Sequence, residues 1–291
     1  MTASSAFAAI ARSELQHLQA NEQGVLEGRD PEFLHQARVA LRRLRSALSA
    51  FASVLPAAAR EPVASDLKWL GSALGPARDW DVLVTETMPR IRESLGERAA
   101  LERLAAECSR LRADAQRRMR RTIRSRKYQS VVIGTASWLV QEGWREQADG
   151  THAALLETPV RAHAQAELER RYERVRKRGR KLAQLTGDEL HQLRIAIKKM
   201  RYSIDFFSSL FEPGAVRALR TRLSRLQDVL GAMNDAHTLR RLTDEALGET
   251  RGAAASEARG ILLGWSAGRA DALRGELGRL WKGFRRSETF W

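Results

Sequence analysis

Apolar residues recur along this chain at steps of three and four, the spacing that keeps one face of an α-helix apolar. Leu34, Ala37, Leu41, Leu44, Leu48 and Phe51 follow steps of 3, 4, 3, 4, 3, and Leu190, Leu193, Ile197, Met200, Ile204 and Phe207 follow the same steps. Each set predicts a helix with two apolar positions per heptad, the seam of a bundle. Alternation at strand period is nearly absent, and Ala, Leu, Arg, Glu and Gln, all helix formers, dominate. The seven prolines are Pro31, Pro56, Pro62, Pro76, Pro89, Pro159 and Pro213. Proline suits a helix start and disrupts a helix interior. The pattern therefore predicts helices near 4–27, 31–54, 60–74, 78–94, 97–125, 127–147, 160–185, 188–210, 214–230, 234–247 and 252–286. Gly143 to Pro159 is the least helical stretch and the expected linker.

The chain also repeats itself. Leu34-His35-Gln36-Ala37-Arg38 returns as Leu190-His191-Gln192-Leu193-Arg194, at an offset of 156. At that offset Ala40, Arg45 and Phe51 match Ala196, Arg201 and Phe207, and Arg42 and Arg43 match Lys198 and Lys199. Without a gap, Leu67, Leu70, Leu74, Gly75, Asp79 and Leu83 match Leu223, Leu226, Leu230, Gly231, Asp235 and Leu239. This pattern implies an internal duplication, with halves of about 1–147 and 158–291 inside one domain. Two units are too few for a solenoid. The expected fold is all-α, two antiparallel helical bundles related by a pseudo-two-fold axis.

Length and charge narrow the function. A chain of 291 residues buries a core without staples. Cys108 is the single cysteine, so an internal disulfide and a four-cysteine zinc site are both excluded. The weakly apolar run Ser130 to Val140 is too short to span a bilayer. Met1 to Leu15 has no basic start and contains Glu14, so it is read as the first helix and not as a signal peptide. A soluble, cytoplasmic protein is expected. Its net charge of +15 points to a polyanionic partner.

The charge is organised. His35, Arg38, Arg42 and Arg45 fall within roughly 80° of one another on a helix, beside the apolar seam. His191, Arg194, Lys198 and Arg201 repeat that stripe. Each stripe is about 15 Å long. Its members repel one another, and no acidic residue at i±4 relieves most of them. Arg174, Lys177, Arg178 and Lys181 line one face of the helix before the second histidine motif, and Arg222 and Arg225 flank Leu223 and Leu226. Arg117, Arg118, Arg120, Arg121, Arg124, Arg126 and Lys127 form a further basic run, which a solvated helix face explains equally well. Such helices predict a groove of guanidinium and ammonium groups suited to phosphate. Aromatic platforms for base stacking are not interleaved with the stripes. The expected ligand is rich in phosphate and poor in bases. A generic nucleic-acid-binding helical protein is the alternative.

Catalytic chemistry is not evident. The i+3 neighbours of His35 and His191 are arginines, which disfavour a metal; a hydrogen bond to phosphate or to a protein group fits better. Asp79 and Asp81 form an Asp-x-Asp that could hold Mg²⁺ in a polyphosphate-processing enzyme, but helix capping or pairing with arginine is the simpler reading. No cofactor motif is visible. The aromatic and basic end, Trp281 to Trp291, is expected to pack on the bundle, with a membrane or granule surface as the other reading.

The duplicated His-x-x-Arg-x-x-x-Arg/Lys-Arg/Lys-x-Arg, each copy followed by a Leu-Gly-x-x-x-Asp segment, resembles the CHAD domain (conserved histidine α-helical domain). The closest stretches are Leu190 to Tyr202, Leu74 to Leu83 and Leu226 to Asp235. The resemblance covers roughly residues 5 to 285 and is to the stand-alone type. It implies two similar bundles facing a basic central cavity. It implies inorganic polyphosphate as ligand, binding without catalysis, and residence on bacterial polyphosphate granules. By motif position it implies binding by His35, Arg38, Arg42, Arg45, His191, Arg194, Lys198 and Arg201. The Glu-x-Glu-x-Lys start of the triphosphatase tunnel fused to some members is missing, so that activity is not implied.

Overall fold

The computed structural model describes residues 1–96, 98–248 and 252–291, with backbone alone at 270 and 271. Among these residues the only regular elements are helices. They are α1 (Ala3–Ala20), α2 (Glu22–Glu27), α3 (Pro31–Ala50), α4 (Ala57–Val82), α5 (Met88–Leu95), α6 (Ala99–Ile123), α7 (Arg126–Val140), α8 (Gly150–Leu156), α9 (Val160–Arg178), α10 (Gly187–Phe207), α11 (Pro213–Leu247) and α12 (Ala253–Arg285). A π-helical turn, Leu83–Thr87, joins α4 to α5, and short 3₁₀ turns follow α9 and α10.

Local chemistry starts the helices that matter for function. Asp30 accepts a hydrogen bond from the Glu32 N–H at 2.8 Å, and Pro31 fills the first turn of α3. Thr186 and Glu189 form a reciprocal capping box at α10. The Glu212 carboxylate accepts from the Gly214 and Ala215 N–H groups at the start of α11. Both seams then face inward. Every seam position is buried except Leu190, which is partly covered at the rim.

Helix α3 packs between α1 and α4, and α10 packs between α9 and α11. Helix α6 lies on α4, and α12 lies on α11. The two seam helices, α3 and α10, also touch each other. At that contact the core is continuous, through Phe51 against Phe207 at 5.6 Å and His163 stacked on Phe51 at 4.7 Å.

Several predicted boundaries are corrected. The breaks expected near 75 and 231 are absent. Helix α4 runs through Pro62 and Pro76, and α11 is unbroken from 213 to 247. Proline removes one backbone donor, but Leu70, Leu74, Ala77 and Trp80 are buried on both sides of Pro76 and hold the helix together. The register adjusts later, in the π-helical turn just before Pro89. The expected helix 4–27 is divided at Asn21. Position 97, the predicted start of a helix, lies outside the described residues, and α6 begins at Ala99.

The expected linker is not bare. It contains α8 and the fully buried Trp144, whose indole N–H donates to Ser4 Oγ at 2.9 Å. The Ala3 N–H donates to the Thr158 carbonyl and the Val160 N–H to the Met1 carbonyl, so the first residues are stitched onto this junction. The aromatic end packs on the bundle. Phe290 meets Phe211 at 5.2 Å, Trp291 meets Tyr172 at 5.7 Å, and the Trp291 indole N–H donates to Glu169 at 2.8 Å. No described helix is long and apolar enough to cross a membrane.

Candidate anion-binding cleft

Contact between α3 and α10 brings the two charged stripes together. The Arg42 guanidinium donates to the Tyr202 hydroxyl across that contact and lies 5.9 Å from the ring centre. An open cavity of about 660 Å³ follows, lined by Arg42, Arg45 and Lys198 together with Arg60, Lys68 and Lys199. Arg38 and Arg194 lie close enough for their charges to act on Lys198. Burial pushes the Lys198 ammonium down to about 7, Arg42, Arg194 and Arg38 push in the same direction, and the Asp235 carboxylate opposes them in part. Burial also lowers the His35 imidazole, with Arg78 as the next cause.

Ion pairing separates these cations from their neighbours. Arg43 sits beside Arg42 on α3 and pairs with Glu14 at 2.6 Å and Asp205 at 3.7 Å. Arg171 pairs with Glu167, and Arg112 with Asp81. Among the described residues, Arg38, Arg42, Arg45, Arg194, Lys198 and Arg201 have no carboxylate within 4 Å. The Nε atoms of Arg194 and Arg201 are buried without a hydrogen-bond partner among those residues. Clustered, partly dehydrated cations of one sign are costly alone, and an anion relieves the cost.

The remaining predicted residues are distributed. Arg174, Lys177, Arg178 and Lys181 are exposed and line a separate cavity of about 680 Å³ at the end of α9. His191 Nδ1 lies 2.6 Å from the Asn234 side-chain oxygen. Arg222 donates to Ser287 Oγ at 2.7 Å and so serves the packed tail. Arg225 is exposed on α11, and neither Arg222 nor Arg225 lines the central cavity.

Asp79 and Asp81 do not cap a helix, because α4 passes through them. Both pair with arginine instead: Asp81 accepts from Arg112 at 2.6 Å and Gln116 at 2.8 Å, and Asp79 from Arg241 at 2.8 Å. No group of three or more His, Cys, Asp or Glu among the described residues could hold a metal ion.

Sequence reasoning missed Arg60, Lys68 and Lys199. Lys199 carried a signal as the repeat partner of Arg43. Yet Arg43 is consumed by carboxylates while Lys199 faces the cavity beneath the charges of Arg171, Arg174 and Arg45. Arg60 and Lys68 carried none, since they belong to no stripe.

Comparison with known proteins decides the family. The sequence model of the CHAD domain matches residues 9–244. The chain belongs to the CHAD domain family. Both stripes and both Leu-Gly segments fall inside the CHAD match, whereas α12 lies beyond it. The crystal structure of the CHAD domain from the plant Ricinus communis is similar at a TM-score of 0.81 and 32% identity, covering 100% of this chain and 95% of that one. PptA from Streptomyces chartreusis shares the fold, at a TM-score of 0.72 and 16% identity, over 97% of this chain and 100% of its own. No curated protein matches.

Proposed function

We propose that this CHAD domain binds inorganic polyphosphate in the cleft between α3 and α10. The observation that carries the reading is the absence of carboxylate partners, among the described residues, for Arg38, Arg42, Arg45, Arg194, Lys198 and Arg201, while the adjacent Arg43 has two. A bare phosphate chain supplies closely spaced anions and needs no aromatic platform. His35 and His191 stand at the heads of the stripes as hydrogen-bonding groups for it. The basin of Arg174, Lys177, Arg178 and Lys181 offers a second landing surface.

Binding without turnover is the role that fits. The Asp79 and Asp81 carboxylates are spent on arginines, which argues against their serving Mg²⁺. The two repeat halves, about 1–147 and 158–291, act as one domain that presents one stripe each. Association with polyphosphate granules in a bacterial cytoplasm follows from such binding. Nucleic acid is a secondary ligand through charge alone.

A competition titration at physiological salt tests this. Labelled long-chain polyphosphate is displaced by unlabelled polyphosphate, duplex DNA, tRNA or orthophosphate. The expected result is displacement by polyphosphate at concentrations far below those needed for DNA or tRNA. Equal competition by nucleic acid overturns the assignment and leaves a generic polyanion surface.

A further inference from the structure

A second, different cavity adjoins the basin at the end of α9. Its volume is about 660 Å³, and Leu182, Leu185, Leu190, Met233, Leu277 and Trp281 give it an apolar lining. Arg180, Lys181, Lys282 and Arg285 add positive charge. The basic basin of about 680 Å³ and this apolar cavity share Arg180, Lys181, Gln184 and Leu185, so they form one continuous depression. One end suits phosphates and the other suits an apolar, flat group.

The wall supplied by α12 supports the same shape. Gly275 and Gly278 line it, and a Cβ added to either would meet nothing within 4 Å. Packing therefore does not require glycine there, and each costs helix stability relative to alanine. Their absent side chains leave room beside the leucine floor. The tip of Trp281 is held against the end of α9, because Gly179 leaves no space for a Cβ beneath it. An alkyl chain favours a closed tunnel, whereas this depression is open and carries the Gln184 amide on the shared wall. A heterocycle with polar edges fits that mixture better.

We propose that the joined cavities bind a nucleoside triphosphate, with the base and ribose over the apolar floor beside Gly275 and Gly278 and the triphosphate among Arg174, Lys177, Arg178 and Lys181. The inference rests on the phosphate-binding reading of that basin, and it adds a ligand with a nucleoside.

Calorimetric titration of the full chain with ATP and with inorganic tripolyphosphate tests it. The two carry similar negative charge, so charge alone predicts no preference for ATP. The expected result is an ATP affinity about tenfold or more above that of tripolyphosphate. Gly278→Leu, which fills the apolar cavity from its helical wall, should erase this advantage and leave tripolyphosphate binding unchanged. Gly275→Leu repeats the test on the same wall, with helical content by circular dichroism as the folding control. Equal affinities in the wild-type chain, or an equal loss for both ligands in the leucine variants, would overturn the proposal. Long-chain polyphosphate binding, measured in parallel, separates the two readings. If it persists while ATP shows no advantage, only the nucleotide site falls. If it is lost while the ATP advantage remains, only the central-cleft reading falls.

Discussion

Arg38 lies across Gly75: a Cβ at that glycine would sit 3.4 Å from the Arg38 Nη1 atom. In the other half Arg194 lies over Gly231, where a Cβ would sit 3.9 Å from its Nε. The two pairs occupy matching positions at the offset of 156. In each half a stripe arginine thus passes over the glycine of the Leu-Gly segment, at ordinary contact distance from where a methyl group would stand. Arg38 Nη1 also donates to the Gly71 carbonyl at 3.3 Å, one turn earlier on α4.

Two substitutions at Gly75 should therefore part company. Gly75→Ala adds a methyl group at ordinary contact distance and raises helix propensity, so the melting temperature should hold or rise, by up to about 1 kcal/mol of stability, with binding retained. Gly75→Leu should displace the Arg38 guanidinium and weaken polyphosphate binding by about tenfold without unfolding the chain. Thermal melts and a binding titration read both. Equal binding by the two variants would mean that the position of Arg38 does not matter.

Charge at the cleft should count for more than charge elsewhere. The triple variant Arg42→Glu, Arg194→Glu, Lys198→Glu should weaken polyphosphate binding at least a hundredfold and reduce the slope of log affinity against log salt by about 2. Arg110→Glu with Arg117→Glu, exposed and already paired on α6, should cost only a few-fold. A similar loss from both sets would reduce the site to net charge.

Lys198 makes binding depend on pH. In the free protein its ammonium titrates near 7, well below the ordinary lysine value. A bound polyanion favours the charged form, so above pH 7 binding must draw a proton from solution. Affinity should strengthen as pH falls from about 8.5 to 6.5, and calorimetry in buffers of different ionisation heat should show proton uptake. Lys198→Arg, which stays charged, should flatten that dependence. The same depressed value means that the folded state holds fewer protons between about 7 and 10.5 than the unfolded chain. Stability should fall as pH drops through that window, and Lys198→Met should remove that contribution.

His163 should govern acid stability. It is buried against Phe51 and Phe207, its Nε2 has no partner among the described residues, and burial pushes it down to about 4, with a hydrogen bond to the Ala50 backbone as a partial offset. Between about 4 and 6.5 the unfolded chain binds the extra proton, so stability falls as pH drops through that window, by at most roughly 3 kcal/mol. Calorimetric melts at pH 7 and pH 4.5 should show the drop, and His163→Phe should shrink it. An unchanged slope in that variant would place the acid sensitivity elsewhere.

The seams were legible because burial on a helix leaves a period. The six seam positions from Leu34 to Phe51 and the five from Leu193 to Phe207 are all buried, and the stripes follow from them by rotation. Pro76 misled because a proline's local cost says nothing of what flanking leucines recover in the core. Trp144 was hidden in a polar stretch, since one buried indole leaves no periodicity. Arg60 and Lys68 belong to the cleft only through the way α4 leans on α3, which pairwise packing decides and no single helix records. Arg222 looked like a ligand residue, but Ser287, 65 positions later, occupies it.

Both ends of the chain are fastened to one helix. Met1 is joined to Val160 at the head of α9, and the Trp291 indole to Glu169 farther along it. Nine residues of helix separate those anchors, about 14 Å. Helix α9 is thus a clasp that both segments grip. Loosening its first three turns would release the two together.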